Sequence, residues 1–114
     1  MQFRVYTGSD GRSHIEEFTM SAADTFYFPT IEGEELMFRR EPMPGRHNCP
    51  RRQFVVTLSG EAELGFGGGS TQRIRPGDIC LMEDHTGQGH TTAVAKAPWL
   101  SIQIPVSLEA QIVP

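Results

Sequence analysis

Two short segments carry the side chains that could bind a metal ion or a small molecule. The first places His47 and Cys49 two residues apart and follows them with Gln53. Residues two apart on a strand face the same side, so the side chains of His47 and Cys49 can bind the same metal ion. Neutral imidazole suits zinc, nickel, copper or iron, whereas cysteine binds as the thiolate and favours thiophilic metals.

The second segment, residues 76–90, ends in His90 and holds His85 as a competing candidate. Glu83 and Asp84 are adjacent, so on an extended strand they point in opposite directions and make a poor catalytic pair. We therefore expect these two acids to lie on the solvated surface.

The chain between and around these segments has the pattern of a β protein. Eight prolines and twelve glycines divide it into short runs, and no window sustains helical spacing of apolar residues. Strands are predicted at residues 3–6, 13–20, 36–40, 54–58, 61–66, 71–75, 79–82, 89–95 and 99–104. Ser59 and Gly60 predict a tight turn, and residues 67–70 a hairpin loop. The fold class is therefore an all-β sandwich or barrel.

Length and charge narrow the class of protein further. At 114 residues the chain fits one domain. A formal net charge of -4 argues against a nucleic-acid partner. No apolar run reaches the ~20 residues that a membrane helix needs, and no signal peptide is visible, so we expect a cytoplasmic protein without a membrane partner.

Two predicted strands, residues 54–58 and 79–82, are apolar on both faces. A strand with one face in a barrel core is expected to be polar on the other, so something must cover the second face. Either the N-terminal segment or a second subunit can do so, and we favour a homodimer.

The two segments together resemble the motifs of the cupin superfamily. The first cupin motif holds a His-x-His pair, a glutamate and a glycine, and here His47 and Cys49 take the paired positions, Gln53 the glutamate position and Gly60 the glycine position. The second motif opens with Gly77 and Asp78 and ends with His90. The ending is similar to a subgroup of small, single-domain bacterial cupins.

The resemblance implies an antiparallel β-barrel of the jelly-roll type with a pocket, often dimeric. Residues 1–34 would form N-terminal strands and an arm, residues 35–106 the barrel and residues 107–114 a tail.

The resemblance also implies a set of metal ligands: His47, Cys49, Gln53 and His90, with His85 as the alternative to His90. Cys49 and Gln53 depart from the family pattern. A glutamine offers only a neutral amide oxygen and removes one negative charge, so we expect metal binding to be weakened or lost. The alternatives from the residues alone are a hydrogen-bonding His47 without metal, a small buried Cys49 and an inward polar Gln53.

Arginines cluster around the first segment, and Arg51 shares strand parity with Cys49 and Gln53. An inward Arg51 suits a carboxylate or phosphate, which a guanidinium holds through two hydrogen bonds. The alternative places the arginines on the surface, paired with nearby glutamates.

Two functions follow. In the first, the protein is an enzyme that uses a divalent metal (Zn, Fe, Ni, Cu or Mn) on a small, anionic organic substrate, as an oxidoreductase, isomerase or lyase. In the second, the protein binds a small molecule without catalysis and with little or no metal.

Overall fold

The computed structural model describes residues 1–19, 37–39, 45–48 and 51–108. The described residues form seven strands and no helix, so the all-β prediction is confirmed. The strands are β1 (Gln2–Thr7), β2 (Ser13–Glu17), β3 (Met37–Arg39), β4 (Gln53–Gly65), β5 (Thr71–Ile74), β6 (Ile79–Met82) and β7 (Thr91–Pro105). The described residues contain no helix that is long and apolar enough to cross a membrane.

All seven strands belong to one curled sheet that forms a half-barrel. The order across the sheet is β2-β1-β6-β4-β7-β3, and β5 pairs with β4 beside this path. Strands β1 and β6 run parallel, whereas the other pairs are antiparallel. The sheet is therefore mixed, and the jelly-roll topology remains a prediction.

The long strands β4 and β7 form the centre of the sheet, and the sequence-based division of each into two strands is wrong. Strand β4 runs for 13 residues through Ser59 and Gly60, where the register against β7 shifts. Gly60 has φ +70°, so the glycine marks an irregularity within a continuous strand pair. The predicted hairpin loop at residues 67–70 is confirmed, because it joins the antiparallel strands β4 and β5.

The larger core cluster fills one face of the sheet, which we call the inner face. Its buried members come from both halves of the sheet: Phe3, Val5, Ala62, Leu64, Phe66, Ile74, Cys80, Met82 and Trp99. On β6, Cys80 and Met82 face this cluster, and Leu81 between them packs on the opposite, outer face. This alternation is the strand period of two.

The outer face of β4 and β6 is covered in part by the chain itself. Phe54, Leu81 and Val106 are buried there, and Phe18 from the segment after β2 packs against them. The two-faced apolarity thus has an explanation within one chain at these residues. The homodimer stays a prediction.

Gly60 offers a test of the irregularity in β4. A Cβ atom at Gly60 would lie well inside van der Waals distance of the Pro98 carbonyl oxygen, whereas one at Gly69, also at positive φ, would meet nothing within 4 Å. We expect Gly60→Ala to lower the free energy of unfolding by about 3 kcal/mol and Gly69→Ala by about 1 kcal/mol, measured by urea denaturation. Equal losses would show that Pro98 does not approach Gly60 closely.

Candidate functional site

A fully buried acid and a buried histidine form a pair where β6 ends and β7 begins. Asp84 is 0% exposed and His90 is 3% exposed. The Nδ1 atom of His90 lies 2.5 Å from Oδ2 of Asp84, and the Ser13 hydroxyl donates to the same oxygen at 2.6 Å. Oδ1 of Asp84 is buried and has no hydrogen-bond partner in the described part of the chain. One carboxylate therefore joins side chains from three separate segments.

The expectation that Asp84 lies on the solvated surface is wrong. Cys80 and Met82 face the inner core cluster, and Asp84 continues the same parity two residues after Met82. The alternation of β6 thus carries Asp84 inward, where Ser13 and His90 bond its Oδ2 atom. Its neighbour Glu83 has the opposite parity and accepts a hydrogen bond from Arg52 at 2.9 Å.

His47 lies directly beside His90. Their backbones form an isolated antiparallel bridge, in which each N–H donates to the other carbonyl at 2.8 Å. Residues opposed in such a bridge carry their side chains on the same face, and the two ring centres are 4.5 Å apart at an interplanar angle of 62°. Gly89 permits this approach, because a Cβ there would clash with the His47 carbonyl oxygen.

The hydrogen bonds of the two rings define their tautomers when both are neutral. Nδ1 of His47 faces the Gly45 carbonyl oxygen at 3.2 Å, and Nδ1 of His90 faces the Asp84 carboxylate. Both partners only accept hydrogen bonds, so each Nδ1 carries the proton and each Nε2 keeps its lone pair. Both rings therefore have the form that binds a metal ion or accepts a proton through Nε2.

Two further predicted metal ligands of these segments, His85 and Cys49, do not join His47 and His90 in the described structure. The side chain of His85 is exposed, so His90 is the histidine of this segment that meets His47. Cys49 lies outside the described residues. Within them, no group of three or more histidine, cysteine or acidic side chains could hold a metal ion. Burial raises the pKa of the Cys80 thiol to about 12, so Cys80 is a core residue and a poor source of thiolate.

Gln53 and Arg51, both predicted to line the pocket, contact each other. Nε of Arg51 donates to Oε1 of Gln53 at 3.0 Å, and Nε2 of Gln53 donates to Oε1 of Gln103 at 3.4 Å. Gln53 and Gln103 are each 5% exposed. Arg52, the next residue, donates from its Nη1 to the Ser107 carbonyl oxygen, so the two arginines serve different networks.

The Asn48 side chain ties the first segment to the loop between Asp84 and His90. Its Nδ2 atom lies 2.7 Å from the Thr86 carbonyl oxygen, 3.1 Å from that of Gly87 and 3.3 Å from that of Asp84. These bonds hold the loop against the strand segment that carries His47. Asn48, the residue next to His47, therefore positions the loop that precedes His90.

Three residues of the site escaped the sequence-based interpretation: Ser13, Asp84 and Gln103. The sequence contains a signal for the buried position of Asp84, which is its parity with Met82. It contains no signal for Ser13, because the approach of Ser13 to Asp84 depends on the pairing of β1 with β6 across the sheet. Gln103 lies in an alternating strand, but its inward position follows only from the register that sets it opposite Val55.

The Ser13 hydroxyl can be tested through stability. Ser13→Ala removes a hydrogen bond to a buried carboxylate, so we expect it to lower the free energy of unfolding by about 1.5–3 kcal/mol. Ser59→Ala, at an exposed position of β4, is the matched control and should stay within ~0.5 kcal/mol of the parent protein. A loss for Ser13→Ala no greater than the control's would mean that Ser13 does not stabilise Asp84.

Comparison of the chain with family models finds no match, and comparisons with curated proteins and with solved structures find none.

Proposed function

We propose that the protein is a cupin-type small-molecule-pocket protein that holds a divalent transition metal on His47 and His90 and acts as an enzyme on a small, anionic organic molecule. The cupin resemblance rests on the motif spacing, and the all-β half-barrel is compatible with it. The meeting of His47 with His90 supports the same interpretation, because these two residues come from the two separate motifs.

One observation carries the metal proposal: both histidines use Nδ1 to bond an oxygen acceptor. Histidines that bind metals through Nε2 almost always donate the other ring proton to a carbonyl or a carboxylate, which fixes the ring and raises its basicity. His47 has the carbonyl version of this arrangement and His90 has the carboxylate version. Neutral imidazole favours zinc, iron, nickel or copper.

The charge of Asp84 supports the presence of a cation. Within the described part of the chain, His90 is the only ionisable partner of this fully buried carboxylate. A buried charge needs a compensating charge, and His90 would supply one through its ring by holding a dication at Nε2.

The residues of the chain contribute orientation to the proposed reaction. Asp84 holds the Nδ1 proton of His90, Ser13 holds Asp84, and burial of all three keeps water from competing for these bonds. When bound, a divalent metal supplies Lewis-acid or oxygen-activating chemistry. Oxidation, isomerisation and lyase reactions share this architecture, so the fold does not choose among them.

The second candidate function is small-molecule binding without metal, and the position of Gln53 favours it. The Gln53 oxygen accepts a hydrogen bond from the Arg51 guanidinium. A positively charged donor on that oxygen disfavours its use as a ligand for a dication. In this version, the two imidazoles and the polar side chain of Gln53 only form hydrogen bonds with a bound molecule.

Metal analysis separates the two functions. Protein purified without chelator or affinity-tag metal should bind about one equivalent of Zn²⁺ per chain, measured by elemental analysis and calorimetry. His47→Ala and His90→Ala should each weaken binding by at least ~10-fold, because each removes one of two ligands. His85→Ala changes an exposed histidine and is the matched control that keeps affinity. A folded protein that takes up no metal would eliminate the enzyme and leave the binder.

Gln53→Glu tests the ligand sphere. Because Arg51 already faces the side-chain oxygen, the new carboxylate should form an ion pair with Arg51. We expect Zn²⁺ affinity by calorimetry to change by less than ~3-fold, which is under 0.7 kcal/mol. A gain of ~10-fold or more would place residue 53 among the ligands and contradict a site built on the two histidines.

A further inference from the structure

The outer face of the sheet carries an unbroken row of apolar side chains across four strands. Val56 on β4 pairs with Ile79 on β6 and with Ile102 on β7. Ile102 in turn pairs with Phe38 on β3. Residues paired across neighbouring strands share a face, and this is the face of Leu81, because Ile79 precedes Leu81 by two residues. These four paired residues are called the apolar row below.

The cover that the described residues give to the outer face is complete only beside this row. Phe54 and Leu81, in the neighbouring row, are buried together with Val106. Burial then falls across the face, because Phe38 is 63% exposed and Leu58, which continues the parity of Val56, is 46% exposed. A single exposed apolar residue needs no explanation, but these two extend a continuous apolar surface.

The charged side chains at the two ends of this surface are paired within the chain. The ion pairs join Glu83 to Arg4 and Arg52 at one end, and Arg73 to Glu61 and Glu63 at the other. The apolar row itself carries no charge. An uncharged centre with a polar rim is the usual anatomy of an interface between proteins.

We propose that the apolar row and Leu58 form the contact surface of a symmetric homodimer, in which the same face of a second copy covers them. The partner must be apolar at its centre, because the row offers neither a charge nor a polar side chain to hold a polar surface. A second copy presents such a surface, and a two-fold axis sets each row against its counterpart. This inference does not rest on the proposed function.

The proposal assigns the homodimer expected from the sequence to a defined part of the outer face. Phe54 and Leu81 were candidates for cover by a second subunit, but the chain's own Val106 is buried with them. The contact between subunits therefore moves to the apolar row and Leu58, where exposure rises.

The size of the surface sets the strength of the dimer. At the usual strand spacing, the row and Leu58 cover about 20 Å by 13 Å, on the order of 250 Å² of sheet. With a polar rim, such a centre makes an interface at the low end of the usual range of roughly 1,200–2,000 Å² in total. We therefore expect a reversible dimer with a Kd of about 1–100 µM.

Sedimentation velocity and methyl NMR of the full chain test the proposal. Between about 1 and 500 µM, the sedimentation coefficient should rise from that of a monomer to that of a dimer. Over the same range, the methyl resonances of Ile79 and Ile102 should shift, whereas those of Ile74, buried in the inner core cluster, should not. A chain that stays monomeric would overturn the proposal and leave the face to another part of this chain or to a different protein.

Variants locate the contact surface. Leu58→Asp and Phe38→Asp each place an unpaired charge in the interface and should raise the dimer Kd by at least ~10-fold. Val94→Asp is the matched control, because Val94 is also exposed and apolar but lies opposite Ala62 of the inner core cluster. An effect of Val94→Asp as large as that of Leu58→Asp would contradict the assignment of this face.

The outcomes separate this inference from the metal proposal. His47→Ala should dimerise like the parent protein, so a dimer that takes up no Zn²⁺ supports the interface and removes only the metal centre. A monomer that binds Zn²⁺ does the reverse. Should an aspartate variant not fold by circular dichroism, the methyl resonances of the parent protein decide the question.

Discussion

The buried carboxylate of Asp84 is the constraint on which the arrangement of the site depends. A carboxylate removed from water must be matched by donors, and here Ser13 and His90 both bond its Oδ2 atom. Satisfying Asp84 brings together the start of β2, the end of β6 and the start of β7. The bridge between His47 and His90 then adds the first motif to the same end of the sheet.

Two neighbouring residues, Arg51 and Arg52, show how strand parity divides the polar chemistry of the protein. Arg51 contacts the inner amides through Gln53, whereas Arg52 is 8% exposed and binds Glu83. Glu83 also accepts a hydrogen bond from Arg4 on β1, which makes a compact ion network apart from the histidines. The network of Arg52 therefore ties β1 to the end of β6, whereas that of Arg51 lies on the inner face with Gln53 and Gln103.

The sequence predicts the class of the fold, the hairpin at residues 67–70 and the two histidines that come together. Each of these depends on local patterns or on motif spacing. The interpretation of Ser59 and Gly60 as a turn was wrong, because a glycine at positive φ serves a strand irregularity as well as a turn. The expectation of a solvated Asp84 rests on its adjacency to Glu83, and only its parity with Met82 indicates a buried position. Ser13 reaches Asp84 through the sheet order, which no local pattern encodes.

The parallel pairing of β1 with β6 has a consequence for the order of folding. Ser13 and Asp84 are 71 residues apart in the chain, so their hydrogen bond closes a long loop. The hairpin of β4 and β5 can form from local contacts, whereas β1 must wait until β6 offers an edge. Until then Asp84 lacks one of its two donors. The buried group of Ser13, Asp84 and His90 is therefore expected to be completed late in folding, after most of the sheet has formed.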